Sequence, residues 1–425
     1  MMGLMAEETR TARTSAAHDA QAPPTTPAAP PAWAVRLVVV GIVLAAVNLR
    51  PAITSLGALL EEVRDGLGMS GGVAGLLTSV PSLCFAVFGA TAPRLARRFG
   101  PGAVVCAGMT AITAGLLIRP YIGSTAGFLA ASALALMGIA VSNVLMPVIV
   151  KRWFPDRVGT MTGLYSMALA LGTSLAAAVT VPLTGALGGQ WQSGLAVWAV
   201  LAAVAVLPWL PLVRERVPAP APAPGAEAAP RLRIARSRTA WALAVFLGLQ
   251  ATAAYISMGW MPQIFRDAGV PAGRAGLLLA LTMVMAVPLA FVIPRLATRL
   301  PHQGPIVLAL SACGLAGYAG LFFAPATGSW AWAVLLGVSN CAFPLALTMV
   351  GLRARTGPGV AQLSAFAQST GYLLSIPGPL LVGVLYQRTG GWGVPLALMA
   401  ALMLPQTAVG FLAGRDRIVE DEAGR

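Results

Sequence analysis

The chain has 425 residues, of which 57% are hydrophobic and only 10% are charged. A soluble globular domain carries about 25% charged residues, so this composition excludes a protein that presents a polar surface to water on every side. The net charge of +14 does not indicate a nucleic-acid partner, because the arginines lie in short patches between apolar stretches and not on one domain, which is the pattern of a membrane protein.

Twelve apolar segments are each long enough to cross a hydrocarbon core of about 30 Å. They predict an all-α polytopic membrane protein with an N-terminal six-helix bundle at residues 33–213 and a C-terminal six-helix bundle at residues 239–414. The segments are predicted at residues 34–60, 72–93, 101–119, 125–150, 158–185, 191–213, 239–265, 273–294, 304–323, 328–351, 360–386 and 392–414.

Three polar stretches flank or separate the bundles. Residues 1–32 are rich in Ala, Thr and Pro and lack the apolar run of a signal peptide, so they predict a disordered cytoplasmic tail. Residues 214–238 contain a Pro-Ala run that cannot form a packed helix interior, which predicts a cytoplasmic linker. Residues 415–425 are predicted to form a cytoplasmic C-terminal tail.

The distribution of arginine predicts the orientation of the segments. Basic patches at residues 94–98, 151–157, 295–299 and 353–355, together with the linker, alternate with connections that hold few basic residues. The basic residues assigned to the outside are Arg64, Arg119, Arg266, Arg274 and Arg388. Because basic loops stay on the inner side, we expect a monomeric, lipid-embedded, multi-pass protein of the bacterial cytoplasmic membrane with both termini in the cytoplasm.

The two bundles repeat one another in sequence. Residues 74–77 and 93–96 recur as residues 275–278 and 294–297, 201 residues further on. A Val-Ser-Asn run that ends at Asn143 likewise recurs 197 residues on, and both copies precede a proline by the same spacing. Six segments in each half give the repeats one orientation, which predicts a binding site near the midplane between the halves.

The connection between segments 2 and 3 resembles a signature of the major facilitator superfamily. Gly89, Arg94, Arg97 and Arg98 match the family pattern Gly-x-x-x-Asp-Arg-x-Gly-Arg-Arg in register, whereas Pro93 replaces its Asp and Ala96 its second Gly. A second run, residues 151–159 with Arg157, resembles another signature of the superfamily. The resemblance implies a transporter in which these residues gate the inner side, without the lock that the Asp provides.

A narrower resemblance covers the first helix pair. Residues 48–57 (Asn-Leu-Arg-Pro-Ala-Ile-Thr-Ser-Leu-Gly), together with residues 76–78 and 92–95, are similar to the cyanate/2-nitroimidazole porter family of bacteria. This similarity implies secondary transport of a small anion or a small polar heterocycle by alternating access. A major facilitator efflux pump for drugs or metabolites is the alternative.

Arg50 is the most informative candidate for substrate binding. The chain stays apolar through Leu60, so the first helix is expected to continue past Pro51 and to hold Arg50 within the membrane. Such a charge costs at least about 2.5–3.5 kcal/mol at the bilayer centre, so it usually faces a cavity. No acidic residue falls in a predicted membrane core, which leaves the guanidinium fork free for a small planar anion. The alternatives are an arginine bonded to backbone carbonyls at a proline kink and an arginine whose side chain extends outward to the membrane surface.

Further polar side chains could share this site. Asn48 lies two residues away, and Gln250 is the approximate repeat counterpart of Arg50. The other candidates are the amphipathic side chains Tyr165, Tyr255, Trp260, Gln368 and Tyr372 in helices that line the cavity of the superfamily. Helix packing is the alternative for each of them, and interhelical hydrogen bonding is favoured for Asn143 and Asn340.

An intramembrane enzyme and a membrane receptor are functions from other classes. The enzyme would need a general base, a nucleophile or a metal, but both histidines lie outside the segments and no cysteine has metal-ligand spacing. We therefore expect no catalytic residue, metal or cofactor. The six-plus-six repeat favours a transporter over a receptor because this symmetry suits alternating access.

Overall fold

Apolar helices dominate the residues that this computed structural model describes, 32–214 and 233–423. Twelve are long and apolar enough to span a bilayer, which confirms the predicted number and the all-α class. We number them spans 1 to 12: Ala32–Ala58, Gly71–Gly89, Pro101–Tyr121, Thr125–Trp153, Thr160–Ala186, Trp191–Trp209, Arg238–Asp267, Ala272–Arg299, Gly304–Phe323, Ser329–Leu352, Pro358–Thr389 and Gly393–Ala413. The tail predicted at residues 1–32, except its last residue, and the central part of the linker, residues 215–232, lie outside the described residues.

Several spans consist of two consecutive helices. The helices of the first half are Ala32–Asn48, Pro51–Ala58, Leu60–Leu67, Gly71–Phe99, Pro101–Ile118, Thr125–Trp153, Val158–Ala186 and Trp191–Val206. Those of the second half are Arg238–Asp267, Ala272–Val284, Ala286–Arg299, Gly304–Phe323, Ser329–Ser339, Ala342–Leu352, Gly357–Ser375, Pro377–Thr389, Gly393–Ala413 and Val419–Ala423. Spans 1, 8, 10 and 11 are therefore interrupted.

Short connections make consecutive spans within each half antiparallel, so the bundle has two faces. We call the face at which spans 2, 4 and 8 end the basic face, since Arg97, Arg152 and Arg299 lie there. The other face is called the distal face, and spans 1 and 7 end there near Glu62 and Arg266. The described residues from Val38 onward belong to one compact unit, and all contacts described below lie within it.

Span 1 is broken at Leu49 and Arg50. The sequence predicted a helix continuing past Pro51, whereas the first helix ends at Asn48 and a second begins at Pro51. Proline suits the first position of a helix because its missing N–H would have no partner there. The Arg50 carbonyl accepts hydrogen bonds from the N–H groups of Ile53 (2.9 Å) and Thr54 (3.1 Å), so Arg50 starts the second helix within the span.

The signature between spans 2 and 3 is helical, which corrects the predicted loop. The helix Gly71–Phe99 runs through Arg94 and Arg97, and Gly100 alone separates it from the helix Pro101–Ile118. Gly100 has a φ of 88°, which disfavours a residue with a Cβ. The arginines are thus fixed to the end of span 2.

The predicted C-terminal tail folds back onto the second bundle. The Glu422 carboxylate accepts hydrogen bonds from the Ser237 hydroxyl (2.6 Å) and the Thr239 N–H (3.0 Å), and Glu420 accepts one from the Thr356 N–H (3.1 Å). The two carboxylates therefore cap spans 7 and 11. Burial alone would raise the pKa of Glu422, but these hydrogen bonds and the charge of Arg417 lower it below its ordinary value.

Candidate substrate site

A cavity of about 440 Å³ lies between the two halves. Its size falls in the range of small-molecule sites. Its wall is mostly apolar and is built by spans 1, 5, 7, 8, 10 and 11. The lining residues include Arg50, Thr162, Ser166, Met167, Thr173, Gln250, Ala254, Tyr255, Met258, Thr282, Phe291, Asn340, Phe343, Leu347 and Tyr372.

Arg50 is the one charged side chain among the residues that the structure places in this wall. Its Nη1 atom is buried and has no hydrogen-bond partner. The guanidinium carbon lies 5.6 Å from the centre of the Phe85 ring, and the phenols of Tyr165, Tyr255 and Tyr372 are its electrostatic neighbours. A cation with an unpaired donor in the wall of a cavity is suited to an anionic or strongly polar ligand.

Gln250 also lines the cavity, but its amide is held by its own half of the molecule. Its Nε2 donates to the backbone oxygen and to Oδ1 of Asn340, each at 3.3 Å, and its Oε1 accepts from Gln406 at 2.8 Å. The structure thus brings Gln250, Tyr255 and Arg50 to one cavity from both repeats.

Four other sequence-predicted residues lie outside this wall. Asn48 is 1% exposed and donates to the carbonyls of Leu44 (2.8 Å) and Leu201 (3.2 Å), so its amide joins spans 1 and 6. Arg50 lies beyond the end of the helix that holds Asn48, so the two side chains do not share a helical face. The other three residues donate hydrogen bonds to neighbouring side chains: Tyr165 to Asn143 (2.6 Å), Gln368 to Ser364 (2.8 Å) and Trp260 to Thr78 (3.2 Å).

Span 5 contributes polar residues that the sequence analysis missed. Thr162, Ser166 and Thr173 all face the cavity. They stand at positions i, i+4 and i+11, which share one face of an α-helix. That periodicity is present in the sequence. Short hydroxyl side chains occur equally well in helix packing, however, so the pattern alone does not distinguish a cavity wall from a packing surface.

An ion-pair cluster closes the distal face between the halves. Arg266 of span 7 contacts the carboxylates of Glu61 (2.8 Å) and Glu62 (2.9 Å), which follow span 1. Gln387, near the end of span 11, accepts a hydrogen bond from the N–H of Gly72, at the start of span 2, at 3.0 Å. The carboxylates of Glu61 and Glu62 therefore serve contacts between the halves.

Backbone contacts at glycine complete this closure. A Cβ atom on Gly57 would lie 1.9 Å from the carbonyl oxygen of Met258 in the other half. One on Gly75 would lie 2.9 Å from the carbonyl oxygen of Leu380. Only glycine allows backbones to approach so closely, so the distal ends of the halves are in tight contact.

The predicted gating arginines lie at the basic face. Arg94, Arg97, Arg98 and Arg157 are exposed, and the Arg98 guanidinium lies 5.2 Å from the centre of the Phe99 ring. Within the part of the chain that the structure describes, these four arginines have no ion pair with a carboxylate. Since the cavity reaches Thr162 and Leu347 near this face, it extends toward the side bearing the arginines.

Comparison with known proteins identifies the family. The Major Facilitator Superfamily model matches residues 38–357. The 2-nitroimidazole transporter of Escherichia coli is 34% identical over 90% of this chain and 96% of its own, and the cyanate transport protein CynX of Escherichia coli is 31% identical over 83% of this chain and 90% of its own. A bacterial homologue of the human lysosomal transporter Spinster, in an inward-facing and unoccupied conformation, matches with a TM-score of 0.71 and 16% identity over 91% of this chain and 98% of its own. The chain belongs to the major facilitator superfamily, and it resembles the transporters of cyanate and 2-nitroimidazole.

Proposed function

We propose that the protein is a secondary transporter that carries a small anion or a small polar heterocycle by alternating access, with Arg50 as the principal binding residue. The observation that supports this proposal is the Arg50 guanidinium in the wall of the cavity between the halves, which hydrogen-bonds to Tyr255 but has no partner at Nη1 and no carboxylate beside it in that wall. In low dielectric an isolated charge is costly, so a ligand that neutralises or hydrogen-bonds it also stabilises the occupied state.

The rest of the wall narrows the chemistry of the substrate. Met258, Phe291 and Phe343 give the cavity apolar surfaces, and Tyr255 and Tyr372 offer hydroxyl groups beside Arg50. A planar molecule with one anionic or polar edge and an apolar body suits such a wall better than a bare inorganic ion. The names of the relatives, one a carrier of a nitroheterocycle, agree with this class.

Transport into proteoliposomes tests the proposal, with 2-nitroimidazole, cyanate and benzoate as probes. Replacing Arg50→Ala removes hydrogen bonds to a charged group, so we expect transport to fall roughly 10- to 100-fold. Arg50→Lys should also be slow because an ammonium lacks the planar fork. Arg274→Ala, an exposed arginine at the distal face, is the matched control. Normal transport by Arg50→Ala would refute the role of Arg50.

We further propose that the basic face is cytoplasmic and that the protein lies in the bacterial inner membrane as a monomer. The support is the concentration of arginine at the ends of spans 2, 4 and 8, because positively charged connections stay inside. The cavity would then open to the cytoplasm. Reporter fusions at residue 225 and at the C-terminus should both give a cytoplasmic signal, and a periplasmic signal from either would overturn the orientation.

A further inference from the structure

Arg119 is a second arginine buried in the membrane part of the molecule. It follows the helix of span 3 and is only 2% exposed, although the sequence analysis assigned it to an outer connection. Its Nη1 donates to the carbonyl of Ala52 (3.0 Å) and its Nη2 to the Ser55 hydroxyl (3.5 Å), both in the second helix of span 1. It therefore lies on the distal side of Arg50, about one helical turn further along span 1.

The bonding of Arg119 is incomplete in comparison with another buried arginine. Arg353 is also 2% exposed, but it donates to the carbonyls of Ala413 (3.0 Å) and Gly414 (2.8 Å) and lies 3.5 Å from the carboxylate of Asp416. The Nε atom of Arg119 is buried without a partner, and among the described residues no carboxylate forms an ion pair with it. A buried cation in this condition lacks a counter-charge.

A small cavity adjoins this unpaired donor. It is lined by Arg119 and Ser132, whose hydroxyl is also buried without a partner, and by Thr78 and Tyr255. About 10 Å³ is open to the centre of a water-sized sphere, which is roughly the room for one water molecule, so a larger halide needs a small outward shift of the lining side chains. Tyr255 lines this cavity and also the main cavity that contains Arg50.

We propose that Arg119 and Ser132 form a second subsite for a monovalent anion, separated from Arg50 by Tyr255. Two donors without partners beside a buried cation point to an anion, because an anion can accept from both a guanidinium N–H and a hydroxyl and also supplies the missing counter-charge. Resting on the transport proposed above, the subsite would receive the anionic group of the substrate from Arg50 as the distal face opens. Arg50 and Arg119 would then be successive anion-binding sites along one translocation pathway.

The test uses the purified full-length chain with Arg50→Gln, which removes the main anion site. Melting temperature is measured against bromide concentration at constant ionic strength, with gluconate as the replacement because this large polyhydroxylated anion suits neither the small cavity nor the mostly apolar main cavity beside it. A ligand that binds only the folded state raises the melting temperature, so we expect bromide to stabilise this variant. Adding Arg119→Gln should abolish the effect.

A matched pair keeps the test decisive if Arg119→Gln does not fold. Ser132 and Ser142 both lie in span 4 with buried, unpartnered hydroxyls, but only Ser132 lines the small cavity. In the Arg50→Gln chain, Ser132→Ala should raise the half-saturating bromide concentration about tenfold, through the loss of a hydrogen bond to a charged group, whereas Ser142→Ala should not.

Two results would overturn the subsite: no bromide effect in the Arg50→Gln chain, or equal half-saturation in the Ser132→Ala and Ser142→Ala variants. Repeating the titration with benzoate present identifies the source of the anion. Competition by benzoate assigns the subsite to a transported carboxylate, and its absence assigns the subsite to a resident halide, and both results support the site. Because this readout is binding without Arg50, it is independent of whether Arg50 proves necessary for transport.

Discussion

The distal and basic faces of the bundle differ in what holds the two halves. At the distal face, Arg266 bridges Glu61 and Glu62, and Gly57 meets the backbone at Met258. At the basic face, the cavity separates the halves near Thr162 and Leu347, and the exposed arginines at positions 94, 97, 98 and 157 have no carboxylate partner within the described residues.

For the alternating access proposed above, this difference indicates which contacts each conformational change would have to break. Opening the distal face requires the loss of ion pairs and of close backbone packing. Closing the basic face requires that the charge of Arg50 in the cavity be neutralised or that the cavity be filled. A substrate that neutralises Arg50 would favour closure of the basic face, because a ligand shifts an equilibrium by its differential affinity for the two states.

The largest effect is expected at Gly57. A Cβ added there meets the Met258 carbonyl oxygen at 1.9 Å, so Gly57→Ala should prevent tight distal closure and lower transport about tenfold or more. In a chain without its four native cysteines, Ala254→Cys, which lies in the cavity wall, should become reactive to an impermeant maleimide from the distal side. Gly185→Ala, whose added Cβ meets nothing within 4 Å, is the control. Transport and labelling equal to the control would show that the contact at Gly57 is unimportant.

A smaller effect is expected at Arg266. Its pairs with Glu61 and Glu62 are partly exposed, and such pairs contribute about 0.2–1 kcal/mol each. Arg266→Gln should therefore raise the rate of maleimide labelling of Ala254→Cys from the distal side by up to about fivefold, and high salt should reduce the difference. Arg274→Gln changes an arginine of the same face that has no ion pair in the described structure, and should leave the rate unchanged. An equal rate in both variants would contradict the role of the pairs.

The smallest effect is expected at the C-terminal helix, which lies within one half at the basic face. Glu422→Gln removes a charged cap of span 7 and should destabilise the chain by about 1 kcal/mol at pH 7, read as a lower melting temperature. Because hydrogen bonds lower the pKa of Glu422 in the folded chain, this stabilisation is present above the ordinary carboxyl pKa and is lost as pH falls through the lowered one. The melting temperatures of wild type and variant should thus converge at low pH, and a difference independent of pH would exclude the carboxylate as its cause.

The sequence predicts the spans well because each depends on one property, the length of an apolar run. The segment predicted at 304–323 coincides with the helix in the structure. The segment predicted at 72–93 is shorter than the helix that contains it, because that helix continues to Phe99 through arginine-rich residues that an apolar run does not include. Arg50 could be identified as a site candidate because a charge within an apolar run is rare.

The remaining site depends on tertiary contacts that no local pattern contains. Asn48 is as polar as Arg50 and only two residues away, but it faces span 6. Arg119 looks like an end-of-helix residue in sequence, and it is buried only because Ala52 and Ser55 accept its hydrogen bonds across 64 to 67 residues of chain. The break of span 1 likewise became visible only in the structure.

The continuous helix of span 2 has a mechanical consequence. At Ser82 it touches Ser375 of the other half, with 2.8 Å between the two hydroxyl oxygens, and from there it runs without interruption to Phe99, roughly 25 Å away at 1.5 Å per residue. A tilt of about 10° around that contact would move Phe99 by about 4 Å, a displacement typical of rigid-body transitions. Arg94, Arg97 and Arg98 thus lie at the end of the helix that would move furthest. Because Gly100 alone connects this helix to span 3, the same movement would displace the start of span 3.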